Sequence, residues 1–363
     1  MQSAPPPEPM KTASPVTICR YPARCSSVLA LLCLGISLFL AAMPLSAAEN
    51  LPGAVRGLLP RSDESPSEKS PPMIVILGGT NAHQMQRYGY LETLLAATTP
   101  EAPPRIRNLA WQADTVYRQQ RPRNFFLGGL APPNEDPDHR GRIAADTIVL
   151  WMGQNEAIAS RSPEAFANAY ADLVEKLQPY AHRLVLVTPV PFEDPLALGI
   201  DLPVRNARLA KNAEAIRNIA REKHLDLVDL HAAASREKAK QPRTGDGAHL
   251  VATGHWWAAG HLAEGLQKSK PVSVVAEPAW PEVQLGEDAE RLRQKILTKN
   301  QLWMRYWRPT NWAFLYGNRQ FVKSSHDHRD FKVRWFPAAV ESIASPIDQS
   351  EVEIQAAARK VNP

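Results

Sequence analysis

Met73-Ile-Val-Ile-Leu-Gly-Gly-Thr80 decides the fold, because five apolar residues run into two glycines and a threonine. Such a run is typical of a strand that is buried on both faces and ends in a tight turn. Further apolar segments predict four more strands at residues 106–111, 147–152, 183–188 and 225–230. Helix-like segments with apolar residues at a spacing of three or four separate most of them. This alternation predicts an α/β three-layer sandwich, in which helices cover both faces of a parallel sheet.

The helical segments extend beyond the sheet. Apolar periodicity predicts helices at residues 88–97, 163–178, 204–224, 254–267 and 287–307. We therefore divide the chain into a sheet domain (73–270) and a C-terminal helical, aromatic-rich extension (271–363). Residues 271–286 are expected to be a connector, and the tail after Ile343 to be weakly structured.

The aromatic part of the extension is open to two interpretations. Residues 301–336 contain ten aromatic side chains, among them Trp303, Tyr306 and Trp312. They either anchor the last predicted helix to the core or line a cleft for sugar rings and apolar chains. Arg305 and Arg308 either bind a substrate carboxylate or are solvated charges on a helix face.

The N-terminus predicts export. Val28–Ala42 is an apolar run, preceded by a long segment with three basic residues and followed by the small residues Ser46-Ala47-Ala48. We interpret residues 1–48 as a cleaved signal peptide, so the mature protein would be periplasmic or extracellular. The run is shorter than the ~20 residues of a membrane span, although an uncleaved anchor is the alternative. Residues 49–72, rich in proline, serine and charge, predict a disordered linker.

The positions of the cysteines and the net charge of the chain argue against several kinds of site. All three cysteines, at positions 19, 25 and 33, lie in the signal segment, so the mature chain would have no disulfide, cysteine nucleophile or thiolate metal site. A net charge of +5 with both signs mixed argues against nucleic-acid binding. Gly78-Gly79 is too short for a phosphate loop, and His326-Asp327-His328 lacks a further predicted metal ligand nearby. We expect neither a cofactor nor a metal, and the sequence carries no signal for the oligomeric state.

Polar residues follow the predicted strands at the edge where open parallel sheets bind ligands. They are Gly78-Gly-Thr-Asn81, Trp111-Gln-Ala-Asp114, Gly153-Gln-Asn-Glu156 and, before the last helix of the sheet domain, Asp246-Gly-Ala-His249. A hydroxyl nucleophile needs a base, and His249 suits that role. Asp246 would accept the other imidazole N–H and fix the tautomer. An ordinary surface histidine is the alternative.

In order and content these four elements resemble the SGNH (GDSL-type) hydrolase family. Its members have Gly-Asp-Ser, a glycine, Gly-x-Asn-Asp and Asp-x-x-His at the corresponding places. The resemblance covers about residues 73–268 and implies a flavodoxin-like fold and ester hydrolysis. It also implies a catalytic set and a set of oxyanion donors. The catalytic set is Thr80, Asp246 and His249, and the donors are the N–H groups of Thr80 and Ala113 and the Asn155 amide.

The pocket around these groups is predicted from their polar neighbours. We expect Asn81, Asp114 and Glu156 to line the substrate-binding pocket, with Glu156 also supporting its loop. The substrate would be a small-molecule or carbohydrate ester. Loops 118–142 and 192–203, which are expected to set specificity, carry no recognisable motif.

Three residues depart from the family pattern: threonine for serine at Thr80, alanine for glycine at Ala113, and glutamate for aspartate at Glu156. Segments 86–92, 108–116 and 299–311 are similar to an exported planctomycete-type branch in which the first block often has threonine. Two hypotheses remain. The protein is an ester hydrolase with a threonine nucleophile, or its site is degenerate and the fold binds glycans or has a structural role in the cell envelope.

Overall fold

A five-stranded parallel sheet forms the centre of the fold. The computed structural model describes residues 71–117, 145–159 and 162–361, apart from 198, 200, 238, 240, 316 and 317. The strands are β1 (Met73–Gly78), β2 (Arg105–Asn108), β3 (Ala145–Trp151), β4 (Ala181–Val187) and β5 (Asp226–Val228). Their order is β2-β1-β3-β4-β5, and every neighbouring pair is parallel. The predicted parallel sheet is confirmed.

Helices cover both faces of this sheet. The helices of the described residues are α1 (Thr80–Tyr88), α2 (Tyr90–Thr98), α3 (Gln154–Ile158), α4 (Pro163–Leu177), α5 (Leu202–Glu222), α6 (Leu230–Arg236), α7 (Ala252–Gln267), α8 (Glu287–Trp307), α9 (Trp335–Glu341) and α10 (Ala344–Val361). Short 3₁₀ turns lie at Gln178–Tyr180, Trp312–Phe314, Asn318–Phe321 and Lys323–Ser325. Among the described residues, no helix is long and apolar enough to cross a membrane.

The side chains of β1 point alternately into two layers of the core, one on each face of the sheet. Val75 and Leu77 pack on one face of the sheet, with side chains of α4, α5 and α8. Ile74 and Ile76 pack on the other face, with side chains of α1, α2 and α7. Successive side chains of a strand point to opposite faces, so one short apolar run supports both helical layers. The predicted three-layer α/β sandwich is confirmed.

Gly89 separates two helices where the sequence predicts only one, at residues 88–97. Its φ of +72° ends α1 and begins α2. This left-handed conformation favours glycine. A Cβ at this position would lie 3.2 Å from the Leu297 side chain and 3.3 Å from that of Ile296, so the glycine also lets α8 approach closely.

Two predictions for the C-terminal region are wrong. Residues 271–286 are not only a connector, because β6 (Ala276–Ala279) and β7 (Glu282–Leu285) form an antiparallel hairpin. The tail is also well structured, since α10 spans most of it. Ile354, Ala357 and Ala358 of α10 pack with α2 and α8 side chains in a buried cluster. Small alanines supply much of this contact, which weakens the hydrophobic signal in the sequence.

Trp303 anchors α8 to the sheet. It is 1% exposed, and its Nε1 donates a hydrogen bond to the Asn108 carbonyl at 3.0 Å. Trp307 stacks on it at 6.0 Å between ring centroids. Tyr306 is also buried. The anchoring interpretation is therefore confirmed for Trp303 and Tyr306, whereas the Trp312 side chain lies outside the described part. The domain boundaries at 72/73 and 270/271 stay predictions.

His255 of α7 gives the fold a pH dependence. The ring is 2% exposed and stacks on Tyr88 at 4.4 Å, and neither ring nitrogen has a hydrogen-bond partner among the described residues. Burial lowers the pKa of His255 to about 3. The unfolded chain binds the proton near pH 6.5, so the stability contributed by the neutral ring is complete above that pH. It falls as the pH drops towards 3, by about 1.4 kcal/mol per pH unit.

His255→Phe is therefore expected to stabilise the protein more at pH 5 than at pH 8. Phenylalanine keeps the stacking on Tyr88 and removes the titrating group, which corresponds to a differential gain of about 2 kcal/mol at pH 5. Urea unfolding at both pH values measures it, with exposed His182→Phe as the control. An equal effect of His255→Phe at the two pH values would contradict the assignment.

Candidate active site

The carboxyl ends of β1 and β3 bring two of the sequence elements together. Gly78 is in register with Trp151, and the Gly79 N–H donates to the Trp151 carbonyl at 3.2 Å. The Trp111 N–H donates to the Gly78 carbonyl at 3.1 Å, which adds the third element. The chain leaves β1 towards β2 and then crosses to β3, so this is the switch point at which such sheets bind ligands.

Thr80 is the first residue of α1 and is half-buried. Its Oγ1 accepts a hydrogen bond from the Ala113 N–H at 3.0 Å. The first N–H groups of a helix have no partner within it, and the helix dipole favours negative charge there. The structure thus brings together a hydroxyl and two of the predicted oxyanion donors, the N–H groups of residues 80 and 113.

Asn155, the third predicted donor, lies beside the first element. Its Nδ2 donates one hydrogen to the Asp114 carbonyl at 2.8 Å. A primary amide nitrogen carries two hydrogens, so a second remains for a ligand. A Cβ added at Gly79 would lie 2.9 Å from this Nδ2, and glycine therefore lets the amide approach the nucleophile turn. A pocket at this point is lined by Thr80, Asn155 and their neighbours.

Asp246 and His249 form the expected pair. The His249 Nδ1 lies 2.6 Å from Asp246 Oδ2, while Asp246 Oδ1 accepts the N–H groups of Ala248 and His249 at 3.0 and 2.7 Å. Partial burial acts to raise the pKa of Asp246, but these donated hydrogen bonds outweigh it and lower the pKa. An ionised carboxylate only accepts, so Nδ1 carries the hydrogen and Nε2 is left as the base.

Asn81 ties the His249 loop to the nucleophile turn. Its Nδ2 donates to the Ala248 carbonyl at 3.0 Å, and its Oδ1 accepts the Leu250 N–H at 3.0 Å. The same Nδ2 donates to Gln154 Oε1 at 2.8 Å, and Gln154 Nε2 donates to the Ala248 carbonyl at 2.8 Å. The residues on either side of His249 are thus bound to the neighbour of Thr80. This clamp holds the base loop beside the N-terminus of α1.

Glu193 holds the same loop from the other side. Its Oε2 accepts the N–H groups of Arg243 and Thr244 at 2.8 Å each and the Thr244 hydroxyl at 2.7 Å. Its own N–H donates to the Gly247 carbonyl at 3.0 Å. Sequence reasoning missed Glu193 because it follows β4 in a proline-containing loop without a motif. Gln154 was missed as well, although it lies within the third element.

The chain also matches a known protein family. Residues 76–257 match the sequence pattern of the GDSL-like lipase/acylhydrolase family, which is half of the chain. The chain belongs to this family. It is therefore assigned to the ester hydrolases, and the recognition of an SGNH (GDSL-type) hydrolase is confirmed.

Solved structures of several hydrolases are similar to the chain. LAE5, an α/β hydrolase from the metagenome of Lake Arreo, is 18% identical, covers 55% of this chain and 96% of its own, and has a TM-score of 0.43. The acetylxylan esterase Axe2 of Geobacillus stearothermophilus is 19% identical, with coverages of 55% and 94% and a TM-score of 0.41. The lipase/acylhydrolase of Enterococcus faecalis is 14% identical, with coverages of 56% and 99% and a TM-score of 0.42. No curated protein sequence matches the chain.

Three side chains predicted to contact substrate in this GDSL-like site are buried. Asn81, Asp114 and Glu156 are 4%, 0% and 1% exposed. Glu156 accepts the N–H groups of Val116 and Gly153 at 2.7 and 3.0 Å, so it supports two site loops, and burial raises its pKa. Asp114 Oδ1 accepts the Thr115 N–H. Their contacts are those of positioning residues, and direct contact with substrate stays a prediction.

Other predictions about this GDSL-like site concern ligands and loops. The described ranges contain no group of three or more His, Cys, Asp or Glu side chains that could hold a metal ion, which includes the surroundings of His326 and His328. The predicted specificity loop 118–142 lies outside the described residues, as do the signal peptide and residues 49–70 of the linker.

Ala113 adopts a left-handed backbone conformation at the family's glycine position, with φ at +59°. Such a conformation costs a non-glycine residue roughly 1–2 kcal/mol. Ala113→Gly is therefore expected to raise the free energy of unfolding by about 0.5–1 kcal/mol, after the greater flexibility of unfolded glycine is subtracted. Chemical denaturation measures it.

The control for this prediction is Ala159→Gly, at a residue that ends α3 with an ordinary φ of −70°. That substitution is expected to destabilise the protein slightly. If Ala113→Gly destabilised the protein as much as the control, the left-handed conformation of Ala113 would be refuted.

Proposed function

We propose that the protein is an exported ester hydrolase with Thr80 as nucleophile, His249 as general base and Asp246 as the carboxylate that orients it. The observation that carries this proposal is the 3.0 Å hydrogen bond between the Ala113 N–H and Thr80 Oγ1. This bond joins the only hydroxyl of the first element, at the N-terminus of α1, to the N–H of Ala113, which we assign as an oxyanion donor. The Asn81 clamp supports the approach of His249 to the same point.

The reaction follows from these groups. His249 Nε2 removes the Thr80 hydroxyl proton while Oγ1 forms a bond to the acyl carbon of the ester. The N–H groups of Thr80 and Ala113 and the Asn155 amide stabilise the resulting oxyanion. His249 then returns the proton to the departing alcohol. Water, deprotonated by His249, then forms a bond to the acyl carbon. The bond between that carbon and Oγ1 breaks, His249 returns the proton to Oγ1, and the carboxylic acid is released.

The threonine methyl group limits the orientations of the nucleophilic hydroxyl, but the hydroxyl is still present. A second heavy substituent on Cβ limits χ1, so the hydroxyl has few orientations. The hydrogen bond from Ala113 holds Oγ1 at the oxyanion donors in the orientation that the structure adopts. The methyl group takes up space near the acyl carbon, which favours a small acyl group.

The alcohol part of the substrate is proposed to be a small molecule or a carbohydrate. The side chains of His249 and Asp246 are 42% and 54% exposed, so the base lies at an open edge that admits a bulky alcohol. A mixed surface charge with a net value of +5 offers no pattern suited to nucleic acid.

Export is proposed from the N-terminal sequence alone. N-terminal sequencing of the protein, after expression of the full chain in a bacterium, is expected to begin at Glu49. An intact N-terminus recovered in the membrane fraction would support the uncleaved anchor.

Hydrolysis of p-nitrophenyl acetate tests the proposed function. We expect the wild type to hydrolyse it above background and His249→Ala to lower kcat by about 10³-fold or more. The control is exposed His182→Ala, which should keep full activity. Equal activity of the wild type and His249→Ala would refute the proposed base. An inactive wild type whose activity appears in Thr80→Ser would instead support the degenerate alternative.

A further inference from the structure

Arg308 stacks on a residue of the active-site edge. It follows the last residue of α8, and its guanidinium carbon lies 3.3 Å from the centre of the Trp111 ring. Both side chains are half-buried, so the stacked pair retains contact with solvent. Planar stacking of arginine on an aromatic ring leaves the N–H edge of the guanidinium available for other partners.

Arg308 lacks a carboxylate partner among the described residues, whereas several comparably buried arginines have one. Arg183, Arg217 and Arg293 pair with carboxylates at 2.5, 2.7 and 2.7 Å. Burial lowers the pKa of Arg308, with no acceptor opposing it. A cation that is partly withdrawn from water without a counter-ion is costly, and a ligand anion would offset that cost.

The stacked pair lies close to the proposed nucleophile. The Trp111 N–H donates to the Gly78 carbonyl. Trp111 precedes Ala113 by two residues, so their Cα atoms are at most about 7 Å apart. The N–H of Ala113 is the one bound to Thr80 Oγ1. Trp111 and Thr80 therefore lie at the same edge of the sheet, within one short segment of each other.

A buried histidine lies next to this pair. His83 of α1 is bound to the Ala110 carbonyl at 3.0 Å, next to Trp111 in the chain. Burial is the main reason why the pKa of His83 is lowered, and the charges of Arg308 and Arg87 lower it further. Two cations thus act on the same residue, and His83 does not add a third charge because its neutral form is favoured.

We propose that Arg308, stacked on Trp111, binds a carboxylate of the substrate, so that the enzyme acts on esters of acidic molecules such as an acylated uronic acid. This inference rests on the proposed function, because it assigns a substrate class to the same site. The guanidinium N–H edge matches a carboxylate in a bidentate arrangement, which a lysine ammonium does not reproduce.

Two pairs of esters test the charge on either side of the scissile bond. p-Nitrophenyl hydrogen adipate and p-nitrophenyl hexanoate compare a charged with a neutral acyl group. p-Acetoxybenzoate and its methyl ester compare a charged with a neutral alcohol. For each ester, the kcat/KM of the wild type is divided by the kcat/KM of the variant. The intrinsic reactivity of the ester cancels in this ratio.

Arg308→Gln is expected to lower kcat/KM about 10- to 100-fold for one acidic ester and to leave its neutral analogue within about twofold. Arg308→Lys should recover only part of the loss. Arg305→Gln removes the same charge from an exposed position on α8. It should leave kcat/KM unchanged for both the acidic and the neutral esters. Equal losses for acidic and neutral esters, or no loss for either acidic ester, would overturn the inference.

Calorimetric titration with adipate and with neutral adipamide separates this inference from the proposed function. Adipate binding that is lost in Arg308→Gln, with no binding of adipamide, supports the carboxylate subsite even if no ester is hydrolysed. Turnover of the neutral esters without selective adipate binding would keep the hydrolase and refute the subsite. Thermal unfolding of each variant confirms that it is folded.

Discussion

Thr80→Ala is expected to abolish measurable ester hydrolysis, with a fall in kcat of about 10³-fold or more, whereas Thr80→Ser should keep or increase turnover. Alanine removes the hydroxyl that accepts the Ala113 N–H at 3.0 Å, and no covalent intermediate can then form. Serine keeps the hydroxyl and removes only the methyl group, which frees χ1. Steady-state hydrolysis of p-nitrophenyl acetate by the three proteins measures this series.

Thr99→Ala is the matched control for this series. Its hydroxyl donates to the Leu95 carbonyl at the exposed end of α2, so its loss leaves the site intact and activity should be unchanged. Full activity in Thr80→Ala, with the fold intact, would remove Thr80 from the mechanism.

Lys299→Met is expected to lower the free energy of unfolding by about 3–5 kcal/mol. Lys299 Nζ lies 2.7 Å from Glu92 Oε1, with the two side chains 0% and 6% exposed, and also donates to the Ile106 carbonyl at 3.2 Å. Burial acts to raise the pKa of Glu92 and to lower that of Lys299, and each partner's charge opposes this effect. Removing one partner leaves the other buried without its counter-charge. Urea denaturation of the full chain measures the loss.

The structure supplies both a control and a rescue for this prediction. Lys295 of the same helix pairs with Glu353 at 2.8 Å, but both side chains are more than 40% exposed. Lys295→Met should therefore cost less than about 1 kcal/mol. The double variant Glu92→Leu/Lys299→Met should recover much of the loss, because no unpaired buried charge remains. Similar losses of stability in Lys299→Met and Lys295→Met would show that burial does not determine how much the Glu92–Lys299 pair contributes.

The sheet could be predicted because its signal is local. The apolar run at 73–77 and its later counterparts need burial on both faces, and parallel pairing follows from the helices between them. Gly89 and α10 could not be predicted in this way. The helix break depends on the close approach of α8, and α10 depends on contacts of small side chains with α2 that a hydrophobic pattern does not reveal.

The sequence predicted those parts of the site in which the functional residues are close together along the chain. Asp246 and His249 are three residues apart, and the structure joins them at 2.6 Å. Asn81 was expected to contact substrate, but its burial and its bonds to the backbone around His249 make it a clamp between distant segments. Glu193 carries no local signal at all. Such long-range polar contacts follow from the assembled fold rather than from a motif.

Covalent labelling tests the central claim most directly. The full chain is treated with a fluorophosphonate, which reacts with activated hydroxyl nucleophiles, and the modified peptide is identified by mass spectrometry. We predict one phosphonyl group on Thr80 in the wild type and none in Thr80→Ala, with labelling strongly slowed in His249→Ala. A label on another residue, or ester hydrolysis that continues in Thr80→Ala, would contradict the proposal that Thr80 is the nucleophile.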